Sequence, residues 1–108
     1  MNVIEGFVVT SARAGEEVII TICGELDFAT CPALVEAVDA TVSEVASVCV
    51  LDFERVTFID SEALKALLRA HREMVDAGRK FEVRGCSRQV MKVVDMLGVR
   101  DQIGWSGS

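Results

Sequence analysis

From Val45 to Leu51 the chain runs Val-Ala-Ser-Val-Cys-Val-Leu, apolar almost throughout and without alternation. A run of this kind reads as a strand buried on both faces, which is a central place in a sheet. It constrains everything around it, because such a strand needs neighbours to pair with and helices to cover it. Asp52 is expected to end the strand. Arg55-Val56-Thr57-Phe58-Ile59 follows, and a helical pattern then opens at Asp60-Ser61-Glu62-Ala63-Leu64.

The flanking segments supply those partners. Phe7 to Thr10 reads as a short first strand and Ala14-Gly15-Glu16-Glu17 as a turn. Val18 to Cys23 is rich in β-branched residues and reads as the second strand of a hairpin, with Gly24 as its end. Pro32 suits the first turn of a helix, and Leu34, Val35, Val38 and Val42 follow at helical spacing. After the central strand, a second helix starts at Asp60 or Ser61. It carries a stripe of Leu64, Leu67, Leu68, His71 and Val75, and Gly78 closes it. Lys80 to Arg84 alternates like a more exposed strand. Ser87 caps a third helix with Val90, Val94 and Leu97 on one face and Gly98 as its stop. Val99, Ile103 and Trp105 are left as packing residues of the tail.

The expected order is β-β-α-β-α-β-α, an α/β domain. Two strand–helix–strand units call for parallel crossovers, and the opening hairpin adds an antiparallel edge. The economical solution is a mixed four-stranded sheet covered by helices. At 108 residues the chain makes a single domain spanning 1–108.

Charge narrows the function classes. There are 11 basic and 17 acidic residues, a net charge of −6. Nucleic acid is therefore not an expected partner, since phosphate backbones are met by clustered Lys and Arg. Arg69, Arg72, Arg79, Lys80, Arg84, Arg88 and Lys92 lie in the second half but are interrupted by acids. Neither a signal peptide nor a membrane-spanning apolar run is read, so a cytosolic chain with no direct membrane insertion is expected. Cys23, Cys31, Cys49 and Cys86 form no CxxC pair and read as reduced thiols. No metal or other cofactor is expected.

Ser61 is the residue of most chemical interest. It falls at the first turn of a helix, where unpaired N–H groups and partial positive charge welcome an anion. On pattern alone a simple helix cap is the stronger reading. Ser61 and His71 are ten positions apart on one helix, roughly 15 Å along its axis, so they form no nucleophile–base pair. No Gly-x-Ser-x-Gly elbow and no Gly-rich phosphate loop is present. The chain does not read as an enzyme.

Three motifs then resemble a known family. Gly24-Glu25-Leu26-Asp27, Val50-Leu51-Asp52-Phe53 and Val56-Thr57-Phe58-Ile59-Asp60-Ser61 are similar to those of the STAS domain, specifically the bacterial anti-sigma factor antagonists. The resemblance covers nearly the whole chain. It implies an antagonist that binds an anti-sigma factor which is itself a serine kinase. That kinase phosphorylates the Ser matching Ser61, and a serine phosphatase resets the switch. Asp27 is implied to lie near the acceptor, and Asp27, Asp60, Glu62, Ala63 and Leu64 are the partner-binding positions it marks. The family pattern has a second hydroxyl residue and a Gly where Glu62 and Ala63 stand. Ala63 is expected to firm the helix start and to hold a partner's backbone off. The same departure keeps an alternative open: an unphosphorylated STAS scaffold, or a regulatory subunit of a membrane transporter.

Overall fold

The computed structural model describes residues 6–43, 47–103 and 105–106. Its elements are β1 (Val8–Ala14), β2 (Glu17–Leu26), α1 (Cys31–Ser43), β3 (Val48–Ile59), α2 (Ser61–Asp76), β4 (Lys80–Arg84), α3 (Arg88–Leu97), α4 (Arg100–Ile103) and β5 (Trp105–Ser106). The sheet order is β1-β2-β3-β4-β5. β1 and β2 form the antiparallel hairpin, and every later pairing is parallel. The mixed sheet of β1 to β4 is as expected; beyond α3 lie the short helix α4 and then β5, which adds a fifth strand beside β4. Of the third-strand run, positions 45 and 46 lie outside the described residues.

β3 occupies the centre of the sheet, and Cys49, Val50 and Leu51 are all buried. In register, Val18, Cys49 and Phe81 line up, as do Ile20, Leu51 and Val83. These residues share one face and join the core with Leu34 and Val38 of α1, Leu64, Leu67 and Met74 of α2, and Val90 and Val94 of α3. Helices thus cover this face. Across the other face Arg84 reaches Glu82 at 3.0 Å and Glu17 at 3.6 Å. Val50, on the strand between them, is buried there.

Asp52 does not end β3. Its Oδ1 accepts the Glu54 N–H at 3.0 Å inside a twelve-residue strand. The pairing with β2 shifts register between Thr21 and Cys23 and again between Gly24 and Glu25. Each shift adds a residue to β3, so Phe53, Val56 and Ile59, three apart, all stay buried. A spacing of three hides the strand from any reading based on a period of two.

Gly24 likewise lies within β2 rather than at its end. Its φ is +109°, and a Cβ there would stand 2.0 Å from the Gly6 carbonyl oxygen. Only Gly fits, both for the dihedral and for the close approach. The helix cap signals hold, but Val75 and Leu97 of the expected apolar stripes are exposed, and Met74 is buried in α2 instead. Ser87 accepts the Val90 N–H at 3.2 Å, and Gly98 takes the left-handed cap with φ 65°. Trp105 closes the core, its ring edge-to-face with Phe53 at 5.1 Å. His71 packs edge-on to Phe81 at 5.6 Å, which accounts for its place on the stripe. Among the described residues no helix is long and apolar enough to cross a membrane.

Candidate functional site at the start of the second helix

Parallel strands deliver their C-terminal ends to one edge of the sheet. There the β2–α1 loop meets the β3–α2 junction, tied by the Asp60 N–H donating to the Leu26 carbonyl at 3.2 Å. Asp60 is the N-cap of α2, with extended φ −105° and ψ 174°. Its Oδ1 accepts the Ala63 N–H at 2.8 Å, a standard way to satisfy a first-turn donor. Its Oδ2 accepts the Phe28 N–H at 3.2 Å, from a residue 32 positions away. One carboxylate therefore caps the helix and pins the facing loop.

Ser61 is the first residue of α2 and is exposed. The cap role belongs to Asp60, so the Ser61 hydroxyl is not spent on capping. Glu62 is exposed beside it, and its Oε1 lies 3.4 Å from the Lys65 Nζ, with both side chains more than 60% exposed. Such a surface pair contributes little, a few tenths of a kcal/mol at most.

Asp27 is half-buried and turned inward on its own loop. Its Oδ1 accepts the Ala29 N–H at 2.9 Å and the Thr30 N–H at 3.0 Å. Thr30, 5% exposed, donates its hydroxyl to the Glu25 carbonyl at 2.9 Å and accepts the Asp27 N–H at 2.9 Å. The loop is thus held by its own short polar side chains. Asp27 also borders a cleft of about 500 Å³ with Phe7, Gly24, Glu25, Thr30 and Thr57.

Ala63 and Leu64 sit differently from the other marked positions. They are 0% and 1% exposed and belong to the core. The Ala63 methyl points inward, so it does not stand in the way of a partner's backbone. That expectation is corrected: both side chains shape the site from beneath. Asp27, Asp60, Ser61 and Glu62 are the ones gathered at the surface.

Cys31 reports the electrostatics of this corner. Its thiol pKa is raised, first by burial and next by the Asp60 carboxylate; Arg69 pulls it the other way, and Asp27 and Glu62 push it further up. Three acids thus act on one thiol at the start of α1. Phe28, in the same loop, was not singled out by sequence. It is 73% exposed, the most exposed aromatic among the described residues. The Cys31 thiol lies 3.8 Å from its carbonyl.

The family model described as "Mlab, STAS domain" matches residues 9–104. The chain belongs to the STAS domain family. An anti-sigma factor antagonist from Mycobacterium paratuberculosis is similar in structure at a TM-score of 0.83 and 20% identity, over 97% of this chain and 89% of that one. The anti-sigma factor antagonist SpoIIAA in its unphosphorylated form gives 0.79 and 19%, over 94% and 88%. The phosphorylated form of SpoIIAA, the Bacillus cell fate determinant, gives 0.69 and 20%, over 94% and 90%. SLC26A9 contains a similar region, with a TM-score of 0.71 and 22% identity over 81% of this chain and 17% of that one. At these identities the likeness is one of fold. No curated protein matches the chain in sequence.

Proposed function

We propose that this STAS domain is an anti-sigma factor antagonist, which binds a serine-kinase anti-sigma factor and is switched by phosphorylation at Ser61. The observation that carries the reading is an exposed Ser61 hydroxyl at the first turn of α2, left free by the Asp60 cap. The likeness to antagonists solved in unphosphorylated and phosphorylated forms supports it. A serine phosphatase would reset the switch.

The physics suits a switch that acts on an interface rather than on the fold. A phosphate on Ser61 adds about −1.5 to −2 charges. The start of a helix tolerates an anion, through its N–H groups and the helix dipole. A partner covering the same patch meets that charge beside Asp60 and Glu62. Two unit charges about 6 Å apart interact by roughly 0.7 kcal/mol in bulk water and about 3 kcal/mol at an effective dielectric near 20. A few such repulsions change affinity tens-fold, at about 1.4 kcal/mol per decade.

Incubation with the serine kinase and ATP, read by intact mass, tests the reading. One phosphate is expected on the wild type and none on Ser61→Ala. Glu62 and Ala63, in place of a hydroxyl residue and a Gly, favour a second reading: a STAS scaffold or transporter regulatory subunit that is never phosphorylated. An unchanged mass in the wild type would favour that second reading.

A further inference from the structure

We infer that Phe28 is the apolar anchor by which the serine-kinase anti-sigma factor is held beside Ser61, an inference that rests on the reading just given. Single exposed apolar residues are ordinary on protein surfaces. The placement of Phe28 is what sets it apart. Its ring is 73% exposed, while its N–H is fixed by the carboxylate of the residue preceding Ser61. The next two N–H groups of the loop are held by Asp27. The ring is displayed on a pinned loop, so docking against it orders little that was free. Aromatic side chains in such positions concentrate binding free energy at interface centres.

The surroundings define the partner's chemistry. Asp27, Asp60 and Glu62 all act on the thiol three residues along from Phe28. A complementary surface carries an apolar pocket for the ring, with Arg or Lys facing Asp27 and no cation opposite Ser61. A second copy of this chain does not fit, because it would bring the same carboxylates face to face on a molecule of net charge −6. Phosphorylation of Ser61 would then bury a charge at the edge of the anchored contact with no counter-charge to meet it.

The test is the affinity of purified wild type, Phe28→Ala, Phe28→Leu and Met96→Ala for each serine-kinase anti-sigma factor of the source genome, by calorimetry. Met96 is 84% exposed near the end of α3, which runs back from the sheet edge that carries the site. Phe28→Ala is expected to weaken binding tenfold or more. Phe28→Leu keeps most of the affinity, and Met96→Ala keeps all of it. Thermal unfolding of the variants should match wild type, which separates anchoring from folding. Wild-type binding with Phe28→Ala within twofold overturns the anchor and leaves the proposed function standing. Loss in Met96→Ala equal to that in Phe28→Ala also overturns it. Sedimentation of the free protein adds a further outcome: self-association abolished by Phe28→Ala would place a second copy on the patch and overturn the assignment. If wild type binds no such kinase, the proposed function itself fails and the anchor with it.

Discussion

Asp60 holds Phe28: its Oδ2 accepts the Phe28 backbone N–H at 3.2 Å, while its Oδ1 caps α2 through the Ala63 N–H at 2.8 Å. The residue before the proposed acceptor therefore fixes both walls of the site. Asp60→Ala removes a cap and frees a loop N–H. The expected loss is about 1–2 kcal/mol, the upper part of the range for a lost N-cap. Denaturant titration measures it, and amide exchange should rise at both Phe28 and Ala63. Faster exchange at Ala63 alone would show that the link to the loop carries no weight.

Gly24→Ala should be among the most damaging single substitutions in the chain. The new methyl would meet the Gly6 carbonyl oxygen at 2.0 Å, at a φ of +109° that L residues rarely adopt. A destabilisation of about 2–4 kcal/mol is expected, from strain combined with overpacking. Gly15→Ala is the control, with positive φ and open space around it. It should cost less by a clear margin in the same denaturant titration.

Glu62 sets a permanent charge next to the acceptor, only loosely paired with Lys65 at 3.4 Å. Glu62→Ser should raise the rate of phosphorylation by the serine kinase severalfold. Initial rates by intact mass check this. Equal rates would mean that Glu62 does not attenuate the acceptor.

The raised thiols of Cys49, which is buried, and Cys86, which is partly buried, make stability depend on alkaline pH. Burial pushes Cys49 up to about 11 from an ordinary 9.0. Cys86 is also raised to about 11, chiefly by burial, with Arg100 opposing. The unfolded chain ionises near the ordinary value while the folded chain holds its protons. Stability is thus complete below about pH 9 and is lost as pH rises towards 11. The sequence has no Tyr to titrate in the same range. Denaturant titrations at several pH values should show this fall, and Cys49→Ala should reduce it, leaving the part due to Cys86. An unchanged slope would contradict the assignment to Cys49.

The sequence made the local signals legible and hid the long-range ones. The element order, the Ser87 cap and the Gly98 stop were readable because each is set within a few residues. The start of α2 was readable to within one residue, and the cap geometry assigns the helix start to Ser61 with Asp60 outside it. Asp52 reads as an end because two register shifts give β3 a spacing of three in its second half. Gly24 reads as a strand end because the atom that demands it, the Gly6 carbonyl oxygen, lies on another segment. The inward turn of the Ala63 methyl follows from how α2 packs on the sheet. The Asp60–Phe28 link joins residues 32 apart, and no local pattern announces such a bond.

A phosphate on Ser61 is proposed to break an interface and leave the fold intact. The most direct measurement compares the kinase affinity of unmodified protein with that of protein carrying phosphoserine at position 61, alongside the thermal unfolding of both. Affinity at least tenfold weaker is expected for the phosphorylated form, with unfolding within a few degrees of the unmodified form. Equal affinities would contradict the proposal, as would a phosphorylated domain that no longer folds.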